Sequence, residues 1–297
     1  MAYAGICGSQ NIQSNSDDYF HGVSFDEIVR YSTVGRGDSC AASDPTGNTA
    51  PSVSPGSIYS IPIGTPFELC GSATDPDGDL LTFSWEQFDL GPAGSPETPS
   101  GNAPIFRSFP AKATPCRTFP KHDDLINNTH TIGEILPTYS RTMHFRLTAR
   151  DNRSGGGGLG VDSDTVVTVT ENSGPFVVTS PNAVVTWEAG SAETVTWDVA
   201  GTNEGPTNCS FVDITISEDG GYSYPHIVVL GTPNDGSELV TVPGSVRSTF
   251  EARLRIQCSN NIFFDISNVD FEIDASTVIF ADGFESGDVS AWATSSP

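Results

Sequence analysis

Basic residues are scarce in this chain. Only 13 Lys+Arg stand against 37 Asp+Glu over 297 residues, a formal net charge of −24. So acidic a surface repels phosphate backbones and anionic lipid, which excludes nucleic acid and an anionic membrane as the main partner. Also missing is any apolar run of about 18 residues, so no segment reads as a membrane span. Residues 1–7 have neither a basic stretch nor an apolar core and do not read as a signal peptide. Charged residues reach only 17%, too few for long solvated helices. What the chain has instead is 30 glycines and 21 prolines, the punctuation of turns and short strands. At roughly 100–200 residues per domain, the length allows about two domains.

Six cysteines, at 7, 40, 70, 116, 209 and 258, include no C-x-x-C pair, which argues against a cysteine zinc site. They fall two by two into three segments, so the expected bonds are Cys7–Cys40, Cys70–Cys116 and Cys209–Cys258. This is one of the fifteen connectivities that six cysteines allow. Loops of these lengths each gain about 4 kcal/mol in the chain-entropy description. The cysteine count implies an oxidising compartment: periplasm, cell surface or medium. Lysine, down to Lys112 and Lys121, fits an extracellular bacterial protein as composition.

Four stretches differ in pattern. Residues 1–43 open with a Gly- and Asn-rich loop and continue as Ser24-Phe25-Asp26-Glu27-Ile28-Val29-Arg30-Tyr31. Ser24 and Glu27 have capping-box spacing, and Phe25, Ile28 and Val29 share one helical face, so a short helix ending before Gly35 is expected. Residues 43–51 read as a linker. From 52 to 172 the period becomes two: Leu81, Phe83 and Trp85, then Met143, Phe145, Leu147 and Ala149, then Val167 and Val169 alternate with polar residues. These are half-buried antiparallel strands. Between them, 89–141 holds eight prolines and little strand signal, a length that is uncommon unless functional or pinned. Residues 175–274 repeat the alternation at Val195 and Trp197, at Val212, Ile214 and Ile216, and at Ala252, Leu254, Ile256 and Cys258. Residues 275–297 read as a flexible tail.

Met1-Ala2-Tyr3-Ala4-Gly5-Ile6-Cys7-Gly8, then Asn15-Ser16-Asp17-Asp18-Tyr19-Phe20-His21 and the capped helix, resemble the end of a reprolysin-like zinc metallopeptidase domain of the metzincin group. The resemblance implies that Met1 is the methionine of the turn beneath the catalytic zinc, and that Ala2, Tyr3, Ala4, Gly5 and Ile6 run along the pocket wall. The competing reading is that Met1 is simply a start residue. The departure from the family is large. No H-E-x-x-H-x-x-G-x-x-H is present, and His21, His122, His130, His144 and His226 include no i, i+4 pair. Without three ligands there is no polarised water, so the chain alone is expected to contain no catalytic residue and no zinc. Zinc, and a protein or peptide substrate, would belong to a full-length parent.

Asp75, Asp77 and Asp79 alternate in Asp75-Pro76-Asp77-Gly78-Asp79-Leu80, an oxygen set suited to Ca²⁺, with Glu86 at the twelfth place. Against an EF-hand stand Leu80 at the sixth place, where glycine is needed, and a strand pattern over 80–88. The alternative is a hairpin turn of solvated aspartates. The segment through Leu81–Trp85 is similar to PKD and cadherin-like immunoglobulin repeats, and that resemblance makes Asp151 the fourth ligand. Ser217-Glu218-Asp219-Gly220-Gly221-Tyr222-Ser223-Tyr224 resembles an Asp-box, with an ordinary Gly-Gly hairpin as the alternative. Trp85 and Trp197 sit in phase with apolar neighbours and read as core rather than as sugar platforms, while Trp292 lies in the tail.

The expected fold is mainly β: two immunoglobulin-like β-sandwiches in tandem behind a short N-terminal loop-helix remnant. Two functions compete. One is the accessory region of a secreted zinc metallopeptidase, inactive alone. The other is a non-enzymatic surface or adhesion module for glycan, matrix or protein, with a passive stalk as the limiting case.

Overall fold

The computed structural model describes residues 4–275 apart from 41, 43 and 55. Met1, Ala2, Tyr3, Trp292 and the expected tail beyond Ala275 therefore lie outside the described residues, and the side chain of Cys40 does too. The chain divides into two compact units. One comprises Met1–Phe176, Ala200–Cys209 and Asn260–Phe264, and the other Val177–Val199, Ser210–Ser259 and Asp265–Pro297.

In the first unit the period-two segments form strands. They are β1 (Ser52–Val53), β2 (Ile58–Pro62), β3 (Phe67–Cys70), β4 (Ala73–Thr74), β5 (Thr82–Gln87), β6 (Cys116–Phe119), β7 (Arg141–Arg150) and β8 (Leu159–Thr170). Two helices join them, α1 (Gly22–Thr33) and the short α2 (His122–Asn127). The main sheet runs β2-β8-β7-β5, with β2 parallel to β8 and the other pairs antiparallel. A second sheet pairs β3 with β6. Phe67 and Phe119 of this sheet stack at 5.0 Å and meet Phe145 of β7 at 5.9 and 4.9 Å. Both sheets thus turn one face into a shared phenylalanine core, as a sandwich requires.

The second unit repeats the plan with β9 (Val177–Ser180), β10 (Thr186–Glu188), β11 (Ala192–Asp198), β12 (Phe211–Ser217), β13 (His226–Pro233), β14 (Ser237–Thr241), β15 (Thr249–Cys258), β16 (Phe264–Ile266) and β17 (Phe271–Asp274). One sheet runs β10-β17-β15-β12-β13 with β16 added to β15, and the other runs β14-β11-β9. Here too the first strand of the larger sheet, β10, lies parallel to the last, β17. Val195, Val212, Ile214, Ile216, Leu254 and Ile256 fill the core with exposures of 0%. A parallel first–last pair, antiparallel neighbours and strands split between two layers make both units immunoglobulin-like sandwiches. The chain is mainly β.

The N-terminal segment differs from expectation in three ways. Helix α1 begins at Gly22, capped by His21, whose Nδ1 accepts the Val23 N–H at 3.3 Å, so Ser24 lies inside the helix rather than at its cap. The segment belongs to the first compact unit and lies on the outer face of β5 and β7 instead of forming a separate remnant. Cys7 is an exposed free thiol, which corrects the expected Cys7–Cys40 bond. Its backbone N–H bonds Asn11 Oδ1 at 2.7 Å, so Cys7 is fixed as the start of a local turn by backbone contacts rather than by a bridge. Cys70 and Cys116, directly opposite across β3 and β6, are bonded as expected, and Cys209 and Cys258 are likewise disulfide-bonded cysteines.

Candidate functional site

The aspartate turn follows β4 closely. Asp75 Oδ1 accepts the N–H groups of Asp77 at 2.9 Å and Asp79 at 3.1 Å, and Gly78, at φ 81°, bonds back to the Asp75 carbonyl. An Asp side chain that ties down backbone two and four residues on is an Asx-type turn, and only glycine takes that φ at no steric cost. The turn leaves one carboxylate oxygen from each of Asp75, Asp77 and Asp79 within 4.8 Å of the others. Asp75 Oδ2 is shielded and accepts no hydrogen bond. Asp77 Oδ2 accepts the Thr49 N–H at 2.6 Å, which ties the linker to the turn. Hard oxygen donors in this number suit a divalent cation that completes its shell with water.

Asp151, the fourth ligand implied by resemblance, does not join them. Its Oδ2 accepts Asn48 Nδ2 at 2.6 Å and the Gly158 N–H at 2.7 Å, and Oδ1 accepts the Arg153 N–H at 3.1 Å. The Asn48 bond, more than the two backbone bonds, holds this carboxyl below the usual range. Asp151 therefore organises the glycine-rich 151–158 hairpin. Glu86, at the twelfth place, is fully buried in β5 and serves other partners, so no EF-hand exists.

Among the described residues the histidines do not converge on one point. Among the described residues, the aspartate turn is the group of three or more His, Cys, Asp or Glu whose ligand atoms converge. His130, His144 and His226 each face a single carboxylate, of Glu97, Asp89 and Glu218 at 2.8, 2.6 and 2.9 Å. Gly5 and Ile6 sit on an exposed turn beside half-buried Ala4. Trp85 and Trp197 are core, as expected. Trp85 Nε1 donates to the Pro115 carbonyl at 2.9 Å and Trp197 Nε1 to Asn234 Oδ1 at 2.7 Å. The turn after β12 is tied down by its aspartate: Asp219 Oδ1 receives Ser217 Oγ and the Ser223 N–H at 2.6 and 2.9 Å, beside Gly220 at φ 73° and Gly221 at φ 96°. Burial raises the Asp219 carboxyl, but the bonds from Ser217, Ser223 and Tyr222 outweigh it and hold it low.

The residues that sequence reasoning missed lie around 88–140. Segment 88–115 contains no strand yet is fixed in place. Gln87 Oε1 accepts the N–H groups of Ile105 and Phe106 at 2.8 and 3.1 Å, Tyr139 donates to the Gly101 carbonyl at 2.9 Å, and Arg141 donates to that of Ala103 at 2.7 Å. Deeper in, Arg117 pairs with buried Glu134 at 2.8 Å and donates to the Trp85 carbonyl at 2.6 Å. A proline-rich composition announces an irregular segment but not the distant buried polar groups that pin it.

No protein-family model matches this sequence, and no match is found among curated proteins. Solved structures that align with it include immunoglobulin and cadherin tandems. The N-terminal four Ig domains of Dscam1 isoform 6.9 match 78% of this chain and 48% of their own at 13% identity, TM-score 0.22. A chimeric titin Z1Z2 functionalised with a decorin KLER peptide matches 76% and 98% at 10% identity, TM-score 0.23. Drosophila N-cadherin EC1-4 matches 78% and 51% at 9% identity, TM-score 0.26. The chain thus spans about half the length of the Dscam1 and N-cadherin structures it aligns with. The architecture stands on the strand pairing described above, since scores this low add nothing to it.

Proposed function

We propose that this chain is a non-catalytic, extracellular binding module whose first sandwich carries the recognition loop. The observation that carries the reading is segment 88–115, long, strandless and yet immobilised by Gln87, Tyr139 and Arg141. Long ordered loops on rigid sheets are where recognition resides. The disulfides fit an oxidising exterior. The partner class is a glycan or a matrix protein. Screening the whole chain against glycan and matrix panels should find a ligand, and exchanging residues 92–101 for a short Gly-Ser link should abolish that binding with the melting temperature nearly unchanged. Binding that survives the exchange would refute the assignment to this loop.

Calcium at Asp75, Asp77 and Asp79 is proposed as a brace between the turn and the Thr49 linker. The reading as the accessory region of a secreted zinc metallopeptidase is supported by the resemblance of residues 1–31 alone. It requires coding sequence for H-E-x-x-H-x-x-G-x-x-H ahead of Met1, while the chain in hand should hold no stoichiometric zinc and leave casein intact.

A further inference from the structure

Segment 12–26 crosses the outer face of the first sandwich like a bound peptide. Arg107 Nη1 donates to the Ile12 carbonyl at 2.6 Å, and its Nη2 donates to Gln13 Oε1. Further along, Arg146 Nη1 donates to the Gly22 carbonyl at 3.0 Å and Nη2 to Asp26 Oδ2 at 2.8 Å. Each guanidinium fork therefore holds one backbone carbonyl and one side-chain oxygen, the two-pronged geometry for which arginine is suited. Between the forks, Tyr19 donates to Ser108 Oγ at 2.8 Å, and Ser108 donates to Glu86 Oε1 at 2.6 Å. Glu86 Oε2 accepts the Gly22 N–H at 3.0 Å, while Arg150 lies 6.0 Å from the Tyr19 ring.

Most of the contacts that hold the segment are polar, beside the His21 ring stacked on Phe88 at 6.4 Å. Within 12–26 only Gly22 is buried, while Ile12, Phe20 and Val23 remain 44%, 49% and 36% exposed. Few buried apolar contacts mean a low free energy of local opening. In a chain of net charge −24, lifting the segment would bare Arg146 and Arg150 on the outer face of β7 and Arg107 in the strandless 88–115 segment, opposed by Glu86 of β5 and by Glu134 against Arg107. The chain as a whole repels polyanions, but charges beyond about 8–10 Å are screened, which leaves the arginine forks to attract the carboxylates of a short segment laid against them.

We propose that residues 12–26 are a displaceable strap occupying an arginine groove whose external ligand is an extended peptide rich in Asp or Glu. Such a ligand would repeat both forks and put a carboxylate where Arg107 now holds the neutral Gln13 amide. This deepens the binding-module reading and rests on it.

The test uses the full chain with the strap loosened by Tyr19→Ala and Asp26→Ala, beside the unmodified chain. The probe is a fluorescein-labelled octaglutamate peptide followed by anisotropy at low and high salt. The loosened chain should bind at least about tenfold tighter, because the competent population rises, and raised salt should abolish the gain. Added Arg107→Gln should remove it as well. Equal binding by the two chains overturns the proposal. So do strap amides that stay protected from hydrogen exchange in the loosened chain, since the strap is then not displaceable. A loosened chain that dimerises in light scattering instead of binding the peptide assigns the groove to a second copy's strap and overturns the peptide ligand. Glycan or matrix binding that still depends on residues 92–101 would leave the module reading standing after any of these failures.

Discussion

Glu134 illustrates what removing water does to a single carboxyl. At 2% exposure it is pushed up to about 7 by burial, against the opposing pull of Arg117 and the Arg107 N–H. The folded chain therefore binds this proton more tightly than the unfolded chain, where 4.5 is the ordinary value. Its stabilising contribution is complete below pH 4.5 and is lost as pH rises to about 7. With the opposing pull of Arg117 already included in that value, the ceiling is about 3 kcal/mol. Asp265 of the second unit, also pushed to about 7 by burial, titrates in the same sense. Thermal melts should consequently fall between pH 5 and 8, and Glu134→Gln should flatten part of that fall. A Glu134→Gln curve parallel to the parent's would contradict the shift. Asp219 is a different kind of residue, exposed to titration but spent on Ser217 and Ser223. Asp219→Ala should lower stability by about 1–2 kcal/mol through lost turn bonds, read as a denaturant midpoint shift with unchanged slope.

Among the elements, the strands announce themselves and the coverings do not. Alternation at Phe83 and Trp85, at Met143 through Ala149 and at Val212 through Ile216 marks β5, β7 and β12, because one face meets the core and the other is polar. That rule places Glu86 and Arg146 on the watery face, and it fails there, since the strap lies over them and leaves them 0% and 6% exposed. The strap is illegible for the converse reason: the apolar stripe of α1 implies burial, but Ile28 and Tyr31 stay in solvent and polar forks hold the segment instead. Equally, Asp151 has the right residue type for a ligand, while only the fold shows its oxygens already filled by Asn48, Arg153 and Gly158. The Cys70–Cys116 bond was readable from position, and it joins β3 and β6 over a sequence separation of 46. Replacing both cysteines by alanine should cost about 4 kcal/mol in the chain-entropy description. The loss should appear with the segment between them loosening first in hydrogen exchange. A change under about 1 kcal/mol would mean the unfolded chain is compact without the bond.

For the molecule as a whole, charge is the dominant unpaired quantity. Thirty-seven carboxylates facing thirteen basic groups repel one another across the surface, and simple salt relieves this by screening beyond about 8–10 Å. Raising sodium chloride should therefore raise the melting temperature without any site being filled. Calcium must do more than this to count as a ligand, because any cation screens. The comparison is made at matched ionic strength, where the screening contributions are equal and only binding to the native state separates the two salts. With Asp75, Asp77 and Asp79 oxygens converging within 4.8 Å, millimolar calcium should add a further rise, and magnesium a smaller one because it gives up water reluctantly. Asp75→Asn with Asp79→Asn should erase the calcium increment while keeping the general salt response, since two fewer charges barely alter a net of −24. If calcium and sodium shift the parent chain equally, the aspartates are a solvated turn and the brace between Asp77 and Thr49 is a hydrogen bond alone.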